Sequence, residues 1–248
     1  MNVLVTGSSG AIGRPVCAEL TRQGDFVRGF DRVQAEEPQE MFLGQIENAD
    51  HVRQAMRGVD AVIHLAANPY DAPFPELVGP NVLGLYHVLD AARAEGVKRV
   101  VLASSVQVAG SRNERRLTAE HRSPSNHYAV TKALAEEMGA MYAQRFGMDV
   151  IAARIGWMVR DEREARRMAE LRLFHIYVSR ADIAQFFFLS VHAEFSGFAV
   201  LWAMGAGGRE RFDLEPARRA LGFEPRDVWP QGLPFAIPSA PSTPPASP

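Results

Sequence analysis

The sequence contains a single cysteine, Cys17, so no disulfide can form within the chain. Its place on a predicted helix favours a buried packing residue over a nucleophile. The seven histidines show no metal-ligand spacing, and we expect no metal site. No apolar run is long enough to span a bilayer, and the first residues lack the basic region and cleavage site of a signal peptide. We therefore expect a cytoplasmic protein with no membrane partner.

Neither charge sign dominates the chain, whose net charge is −2 over 248 residues. This balance gives no electrostatic reason to expect nucleic acid as a partner. A hydrophobic fraction of 47% and a charged fraction of 23% are ordinary for a globular protein. The length is sufficient for a full hydrophobic core and suits one α/β domain with a small appendage.

A short apolar run at the start, Val3–Val5, leads into glycines spaced as in a dinucleotide-binding turn. Gly7 permits the tight turn, Gly10 lets the backbone approach a pyrophosphate, and Gly13 allows close packing of helix on strand. The phosphates would lie at the positive N-terminus of the helix predicted over Arg14–Gln23. A plain structural turn is the alternative.

An acidic residue, Asp31, follows the second predicted strand, Phe26–Phe30. A carboxylate at this position accepts hydrogen bonds from the adenosine ribose and repels a 2′-phosphate, which favours NAD over NADP. Arg32 keeps NADP open, because a guanidinium beside the ribose accommodates a phosphate. NAD is therefore the predicted cofactor, NADP is the less favoured one, and a solvated loop carboxylate is the alternative for Asp31.

Strand-like and helix-like stretches alternate from the first residues onward, which predicts a parallel sheet with crossover helices. The predicted fold is α/β, a doubly wound Rossmann-type parallel sheet with a small C-terminal substrate-binding part. We assign residues 1–155 to the dinucleotide-binding core and residues 156–237 to the substrate-binding part that completes the fold. Residues 238–248 are rich in proline and are predicted to form a disordered tail.

The segment Asn68–Pro80 is rich in proline, so we predict no regular element there and regard it as a substrate loop. Helices are predicted over Asn81–Glu95 and Asn126–Phe146, and a short strand over Phe174–Val178. Ser179 is a candidate N-cap for the helix that follows. The helix Asn126–Phe146 is apolar on more than one narrow stripe, which predicts a homodimer formed through these two helices.

Three side chains form a possible catalytic set: Ser105 after a predicted strand, and Tyr128 and Lys132 one helical turn apart. A tyrosine pKa near 10 is too high for a good base at neutral pH, and a nearby ammonium and a nicotinamide ring would lower it. Tyr128 is then the acid/base, Ser105 holds the substrate oxygen, and Lys132 also binds the nicotinamide ribose. His64, inside an apolar strand, is interpreted as a core histidine. An ordinary helix tyrosine beside a solvated lysine is the alternative for this pair.

The chain resembles the extended short-chain dehydrogenase/reductase superfamily, also called NAD-dependent epimerase/dehydratases. The resemblance rests on Thr-Gly-Ser-Ser-Gly-Ala-Ile-Gly, His-Leu-Ala-Ala, Asn-Val-Leu-Gly, Ala-Ser-Ser and Tyr-Ala-Val-Thr-Lys, in that order. It implies an NAD-dependent oxidoreductase in which Asn81 supports the active site. It also implies that further residues contact the cofactor: Ala11, Ile12, Gln45, Ile46, Leu65, Ala66, Ala67 and Ile155.

Within the superfamily, Arg154-Ile155-Gly156 and the charged stretch ending in Arg166-Arg167-Met168-Ala169 resemble uronate dehydrogenases. Those enzymes oxidise a hexuronic acid at C1 with NAD. The resemblance implies a substrate site that includes Asn68, and it leaves Arg166 or Arg167 open as a carboxylate clamp or as plain surface charge.

Three positions depart from the uronate pattern. Pro69, Val106 and Trp157 stand where those enzymes carry a serine, an asparagine and a serine that bind substrate, so a different preference is expected. The predicted activity is hydride transfer between NAD and a sugar or sugar-acid hydroxyl or carbonyl, with that small molecule as partner. The alternatives are a nucleotide-sugar epimerase or dehydratase, and a non-catalytic NAD(P)-binding regulator.

Overall fold

The computed structural model describes residues 1–110 and 116–236, and within them seven strands form one parallel sheet. The strands are β1 (Asn2–Thr6), β2 (Phe26–Asp31), β3 (Glu40–Leu43), β4 (Ala61–His64), β5 (Arg99–Ser105), β6 (Asp149–Ile155) and β7 (Phe198–Ala203). Their spatial order is β3-β2-β1-β4-β5-β6-β7, which reverses direction between β1 and β4. The predicted doubly wound Rossmann-type fold is confirmed.

Helices pack on both faces of the sheet. They are α1 (Gly13–Arg22), α2 (Ala49–Met56), α3 (Phe74–Leu77), α4 (Gly84–Ala94), α5 (His127–Phe146), α6 (Glu162–Glu170), α7 (Arg180–His192) and α8 (Glu215–Leu221). Side chains of β1 alternate between the two layers: Val3 and Val5 enter the core beneath α1 and α7, and Leu4 enters the core beneath α2, α4 and α5. None of the helices in the described residues combines the length and apolarity needed to cross a bilayer.

Side chains fix where two of the long helices begin. Asn126 accepts a hydrogen bond from the Ala129 amide at 2.7 Å at the start of α5. Ser179 accepts one from the Asp182 amide at 3.0 Å at the start of α7, which confirms the predicted N-cap. The start of α5 matters for the site, because Tyr128 and Lys132 lie in its first two turns.

The prediction that Asn68–Pro80 contains no regular element is wrong for its second half. After α3 the chain continues through a π-helical turn, Val78–Leu83, directly into α4. Pro80 has no N–H to donate, so the helical hydrogen-bond ladder widens around it instead of ending. Asn81 therefore lies within a continuous helical stretch and does not begin a new α-helix.

The short strand predicted over Phe174–Val178 is also wrong. Phe174–Ile176 forms a 3-10 turn, and Tyr177 makes only an isolated parallel bridge to Trp157. The apolar pattern of this segment reflects packing of Tyr177 under Trp229 instead of membership of the sheet. The remainder of residues 156–237 supplies β7, which pairs with β6, and α7, whereas the tail 238–248 lies outside the described residues.

A buried ion pair joins the sheet to α5. Arg154 of β6 donates from Nε and Nη2 to the two carboxylate oxygens of Glu136, at 2.7 and 2.9 Å, and both side chains are 0% exposed. Ser104 of β5 donates to Glu136 at 2.6 Å, and Arg154 also donates to the His121 carbonyl at 2.9 Å. The network thus fixes β5, β6, α5 and the segment that precedes α5 relative to one another.

We predict that Arg154→Met destabilises the protein by about 3 kcal/mol, because removal of one partner leaves a buried carboxylate without its bidentate cation. Urea unfolding followed by circular dichroism measures the change in the free energy of unfolding. Arg163→Met, at an exposed position on α6, is the control and should change stability by less than about 0.5 kcal/mol. Equal stability of the two variants would contradict the assigned role of the pair.

Candidate active site

A cavity of about 1170 Å³ opens across the carboxyl ends of the central strands. Residues at or directly after successive strand ends form its wall: Asp31 at β2, Gly7 after β1, Ala66 after β4, Ser105 at β5 and Gly156 after β6. In open parallel sheets, ligands bind at this edge where the strand order reverses. The volume exceeds that of a usual small-ligand pocket, so it is sufficient for a dinucleotide together with a small substrate.

The glycine turn forms one wall of this cavity. Gly7 has a φ of 72°, and a Cβ atom there would lie 2.7 Å from the Ala66 amide nitrogen. A Cβ atom on Gly13 would lie 2.7 Å from Cα of Ser8, so this position packs as closely as the fingerprint requires. No side chain among the described residues caps the N-terminus of α1, which therefore presents its amides and partial positive charge to an anion.

The Asp31 carboxylate is held in place by backbone amides. Its Oδ2 accepts from the Ser9 amide at 3.1 Å, and its Oδ1 accepts from the amides of Arg32 and Val33 at 2.7 and 3.3 Å. The exposed Arg32 lines the same end of the cavity. The two groups that bear on the choice between NAD and NADP are thus side by side. These features fit a dinucleotide: a turn that admits phosphates, an open helix N-terminus and a fixed carboxylate.

Ser105, Tyr128 and Lys132 all reach the cavity wall, although β5 and α5 are separated along the chain. The Lys132 ammonium donates to the carbonyl of Ala103 at 2.9 Å and lies 5.6 Å from the centroid of the Tyr128 ring. Ser105 and Tyr128 both line the cavity, and the Ser105 side chain lies near enough to the phenol to lower its pKa. The structure therefore brings the predicted set together around one point.

Burial controls the protonation of this set. It raises the pKa of Tyr128 to about 12, and the nearby Ser105 side chain only partly opposes the rise. Burial also lowers the pKa of Lys132 to about 8. The expectation that the neighbouring ammonium lowers the phenol's pKa is wrong for the protein alone, because desolvation outweighs that attraction. The Tyr128 phenol becomes a base only when further positive charge enters the cavity.

His64 and Cys17, which the sequence predicts to be core residues, are both buried. His64 is buried, its Nδ1 is hydrogen-bonded to the Thr6 hydroxyl at 2.8 Å, and burial together with the Lys132 charge lowers its pKa to about 3. Cys17 is fully buried, and burial raises its pKa to about 12. The interpretation of both as core residues is confirmed. Within the described residues, no group of three or more His, Cys, Asp or Glu side chains is arranged to hold a metal ion.

Most residues predicted to contact the cofactor or substrate lie on the wall, and four do not. Gln45 is exposed beside it, and Arg166 and Arg167 are exposed on α6, where they pair with Glu162 and Glu170. The predicted residues on the wall are Gly7, Gly10, Ala11, Ile12, Gly13, Asp31, Arg32, Ile46, Leu65, Ala66, Ala67, Asn68, Pro69, Ser105, Val106, Tyr128, Lys132, Ile155 and Trp157.

Asn81, the fourth, acts behind the wall. Its Oδ1 accepts from the Asn68 amide at 2.7 Å, and its Nδ2 donates to the Asn68 carbonyl and the Thr131 hydroxyl, both at 3.1 Å. The side chain is buried, and these bonds use its amide group in full. Asn81 therefore joins the backbone of Asn68 to α5, where its partner Thr131 is the residue before Lys132.

The wall also contains residues that the sequence did not predict as site residues, among them Tyr70, Gln107, Arg160 and Glu164. Arg160 donates to the Tyr70 hydroxyl at 2.8 Å and also pairs with Glu164. A signal was present: Asp161 and Glu164 have the spacing of a helix N-cap box, and Arg160 lies four residues before Glu164. The charged stretch was instead interpreted through its arginine pair, Arg166 and Arg167.

The fold and this cavity define a dinucleotide-binding α/β protein with a serine, tyrosine and lysine set of the short-chain type. Residues 3–182 match the model of the NAD dependent epimerase/dehydratase family, and the chain belongs to this family. Membership confirms the recognition made from the sequence motifs, the predicted class of enzyme and the predicted cofactor, NAD.

Relatives with assigned activities cover nearly all of the chain at low identity. The uronate dehydrogenase of Pseudomonas syringae pv. tomato is 26% identical over 231 residues, which cover 91% of this chain and 82% of that protein. The L-arabinose 1-dehydrogenase (NAD(P)(+)) of Haloferax volcanii is 28% identical, with 91% and 96% covered. A crystal structure of Agrobacterium tumefaciens uronate dehydrogenase, as a mutant complexed with NAD, superposes with a TM-score of 0.79 at 26% identity, covering 91% and 84%.

We predict that the contribution of Lys132 to the free energy of unfolding of the NAD-free protein rises by about 2 kcal/mol between pH 8 and pH 10. The pKa of Lys132 is lowered to about 8 by folding, so in this interval the unfolded chain binds more protons than the native chain. The free energy of unfolding of wild type minus that of Lys132→Met should rise by this amount, because Cys17 and the buried tyrosines titrate in both proteins. Denaturant unfolding at each pH measures it, with Lys98→Met, at an exposed position, as the control. Parallel profiles for wild type and Lys132→Met would refute the buried-ammonium assignment.

Proposed function

We propose that the protein is an NAD-dependent dehydrogenase that transfers hydride between a sugar hydroxyl or the corresponding carbonyl and the nicotinamide. The observation that carries the proposal is the convergence of Ser105, Tyr128 and Lys132 in a cavity whose other end holds the glycine turn and Asp31. The dehydrogenases among the relatives act on sugars or sugar acids according to their names, which supports the substrate class.

NAD, when bound, supplies the hydride acceptor. The Tyr128 phenol stands as the group that exchanges the proton of the substrate hydroxyl, and Ser105, near it on the cavity wall, orients the reacting oxygen. The Lys132 ammonium, anchored by the Ala103 carbonyl, stabilises negative charge on the phenol oxygen. In the reverse direction the same phenol donates its proton to the developing alkoxide.

The rest of the wall supports binding. We propose that the pyrophosphate binds at the N-terminus of α1 and the turn at Gly7–Gly13. The fixed Asp31 carboxylate is proposed to bind the adenosine ribose. Asn81 is proposed to act indirectly, through the backbone of Asn68. Net formation of NADH would separate this function from a nucleotide-sugar epimerase, which returns the hydride to its substrate.

We predict that Tyr128→Phe lowers kcat by at least about 10²-fold, because the variant has no group to exchange the substrate proton. The dissociation constant for NAD should stay within about twofold, since the phosphate and ribose contacts lie elsewhere on the wall. Absorbance of NADH at 340 nm with aldoses and uronic acids measures kcat. Calorimetric titration measures the dissociation constant for NAD. Tyr142→Phe, on α5 but away from the wall, is the control. Retained turnover would refute the assignment of Tyr128.

We also propose that the protein forms a homodimer through α4 and α5. Large apolar side chains stay exposed on these helices, including Tyr86 at 46% and Leu134 at 36%. On α5 they follow helical spacing and form one stripe, composed of Val130, Leu134 and Met141. An exposed apolar stripe of this kind is typical of a subunit interface.

The variant Leu134→Glu should be monomeric, because it places a charge at the centre of the apolar stripe. Sedimentation velocity measures the mass of wild type and variant. Leu171→Glu, at an exposed apolar position after α6, should leave the mass unchanged. A monomeric wild type would refute the proposed dimer.

A further inference from the structure

The part of the cavity beyond the catalytic set has its own charge pattern. It lies over β5 and β6, on the opposite side of Ser105 and Tyr128 from Asp31. We call it the substrate end and define it by the wall residues Asn68, Pro69, Tyr70, Val106, Gln107, Trp157, Arg160 and Glu164.

Arg160 is the cation that the described residues contribute to the substrate end, and three of its five N–H donors are already engaged. Its Nε donates to Glu164 at 2.7 Å, its Nη2 donates to the same carboxylate, and its Nη1 donates to the Tyr70 hydroxyl at 2.8 Å. The guanidinium also lies 5.2 Å from the centroid of the Tyr70 ring. An anionic substrate group would have to displace these bonds or share the guanidinium with Glu164.

Glu164 is fixed as firmly as its partner. Its side chain is 9% exposed, and it accepts from the Arg160 amide at 3.0 Å and from the Trp157 indole N–H at 3.3 Å. Asp161 caps the Glu164 amide at 2.8 Å, which ties the position to the first turn of α6. Although burial raises the pKa of Glu164, the hydrogen bonds from Arg160 outweigh that effect and lower it, so the carboxylate is charged at neutral pH.

We propose that the Arg160–Glu164 pair makes the substrate end select neutral aldoses and reject the corresponding uronic acids. This inference rests on the proposed function and names its substrate class. A uronate carboxylate that displaced Glu164 from Arg160 would leave Glu164 nearly buried without its cation, and one that shared the guanidinium would be repelled by the Glu164 carboxylate. The exposed pairs of Arg166 and Arg167 lie off the wall and offer no substitute.

The remaining groups at this end suit an uncharged sugar. Tyr70 and Gln107 present polar atoms that exchange hydrogen bonds with hydroxyls. The Trp157 indole is held by its bond to Glu164, and its apolar ring system offers a surface for the C–H face of a sugar ring. Pro69 and Val106 contribute apolar surface to the wall, so this part of the site recognises the shape of a ligand and not its charge.

The test compares sugars that differ only at C6: D-glucose with D-glucuronate, and D-galactose with D-galacturonate. We expect wild type to show a kcat/KM at least about tenfold higher for the neutral member of the preferred pair. Glu164→Gln keeps an acceptor for Trp157 but removes the charge that occupies Arg160. It should raise the ratio of uronate to aldose kcat/KM about tenfold. Glu162→Gln, whose partner Arg166 lies off the wall, should leave the ratio unchanged.

Calorimetric titration of the NAD-loaded protein with the same four sugars gives a readout that does not depend on turnover. Tighter binding of aldoses without NADH formation would refute the proposed function and support this inference. A wild-type preference for uronates in turnover or binding, binding of neither sugar, or an unchanged ratio in a folded Glu164→Gln would overturn it. If Glu164→Gln does not fold, the wild-type ratio alone decides.

Discussion

The buried pair between Glu136 and Arg154 is the constraint on which the geometry of the site depends. Arg154 belongs to β6, Glu136 lies one turn after Lys132 on α5, and Ser104 adds the strand that ends in Ser105. Charges buried this deeply favour a well-paired arrangement because an imperfect one is costly, and Arg122 also donates to Glu136, at 3.0 Å. The rotation and height of α5 on the sheet are therefore fixed from within the core, and with them the direction in which Tyr128 and Lys132 point.

The cavity divides into two ends of different electrostatic character, and the catalytic set lies between them. At one end the N-terminus of α1 is open and Asp31 is held by backbone amides, which suits phosphates and ribose hydroxyls. At the other end positive and negative side chains, Arg160 and Glu164, already neutralise each other. One end thus recognises a charged ligand and the other offers little net charge. A ligand with its phosphates at one end and a neutral ring at the other matches this distribution.

The sequence predicted the cofactor half of the site well because that half is built from local signals. Gly7 and Gly13 carry backbone requirements that only glycine satisfies, and Asp31 follows its strand directly, so spacing along the chain is enough to identify them. The substrate half depends on long-range packing. Tyr70 and Arg160 meet only because two distant segments meet over β5 and β6, and no local pattern contains that contact.

The same distinction explains the error at Asn81 and the outward position of the arginine pair, whose role the sequence left open. Pro80 suggests a break by composition, but the helix continues because a π-helical turn absorbs the missing N–H, and this depends on the packing of α3 and α4. Arg166 and Arg167 have the chemistry of a carboxylate clamp, yet the phase of α6 directs them outward and directs Glu164 inward. A shift of two or three positions on a helix decides which side chain faces a ligand.

The predicted acidic phenol illustrates the limit of reasoning from charge alone. Tyr128 and Lys132 were expected to favour each other's charged forms, but both are buried, and desolvation disfavours each charged form separately. Once both charges exist side by side, their attraction in a low-dielectric cavity is much stronger than in water. Burial by itself therefore favours the neutral phenol. Burial that penalises either charge alone also strengthens the pair, so a cationic ring bound nearby would shift the site sharply towards phenolate.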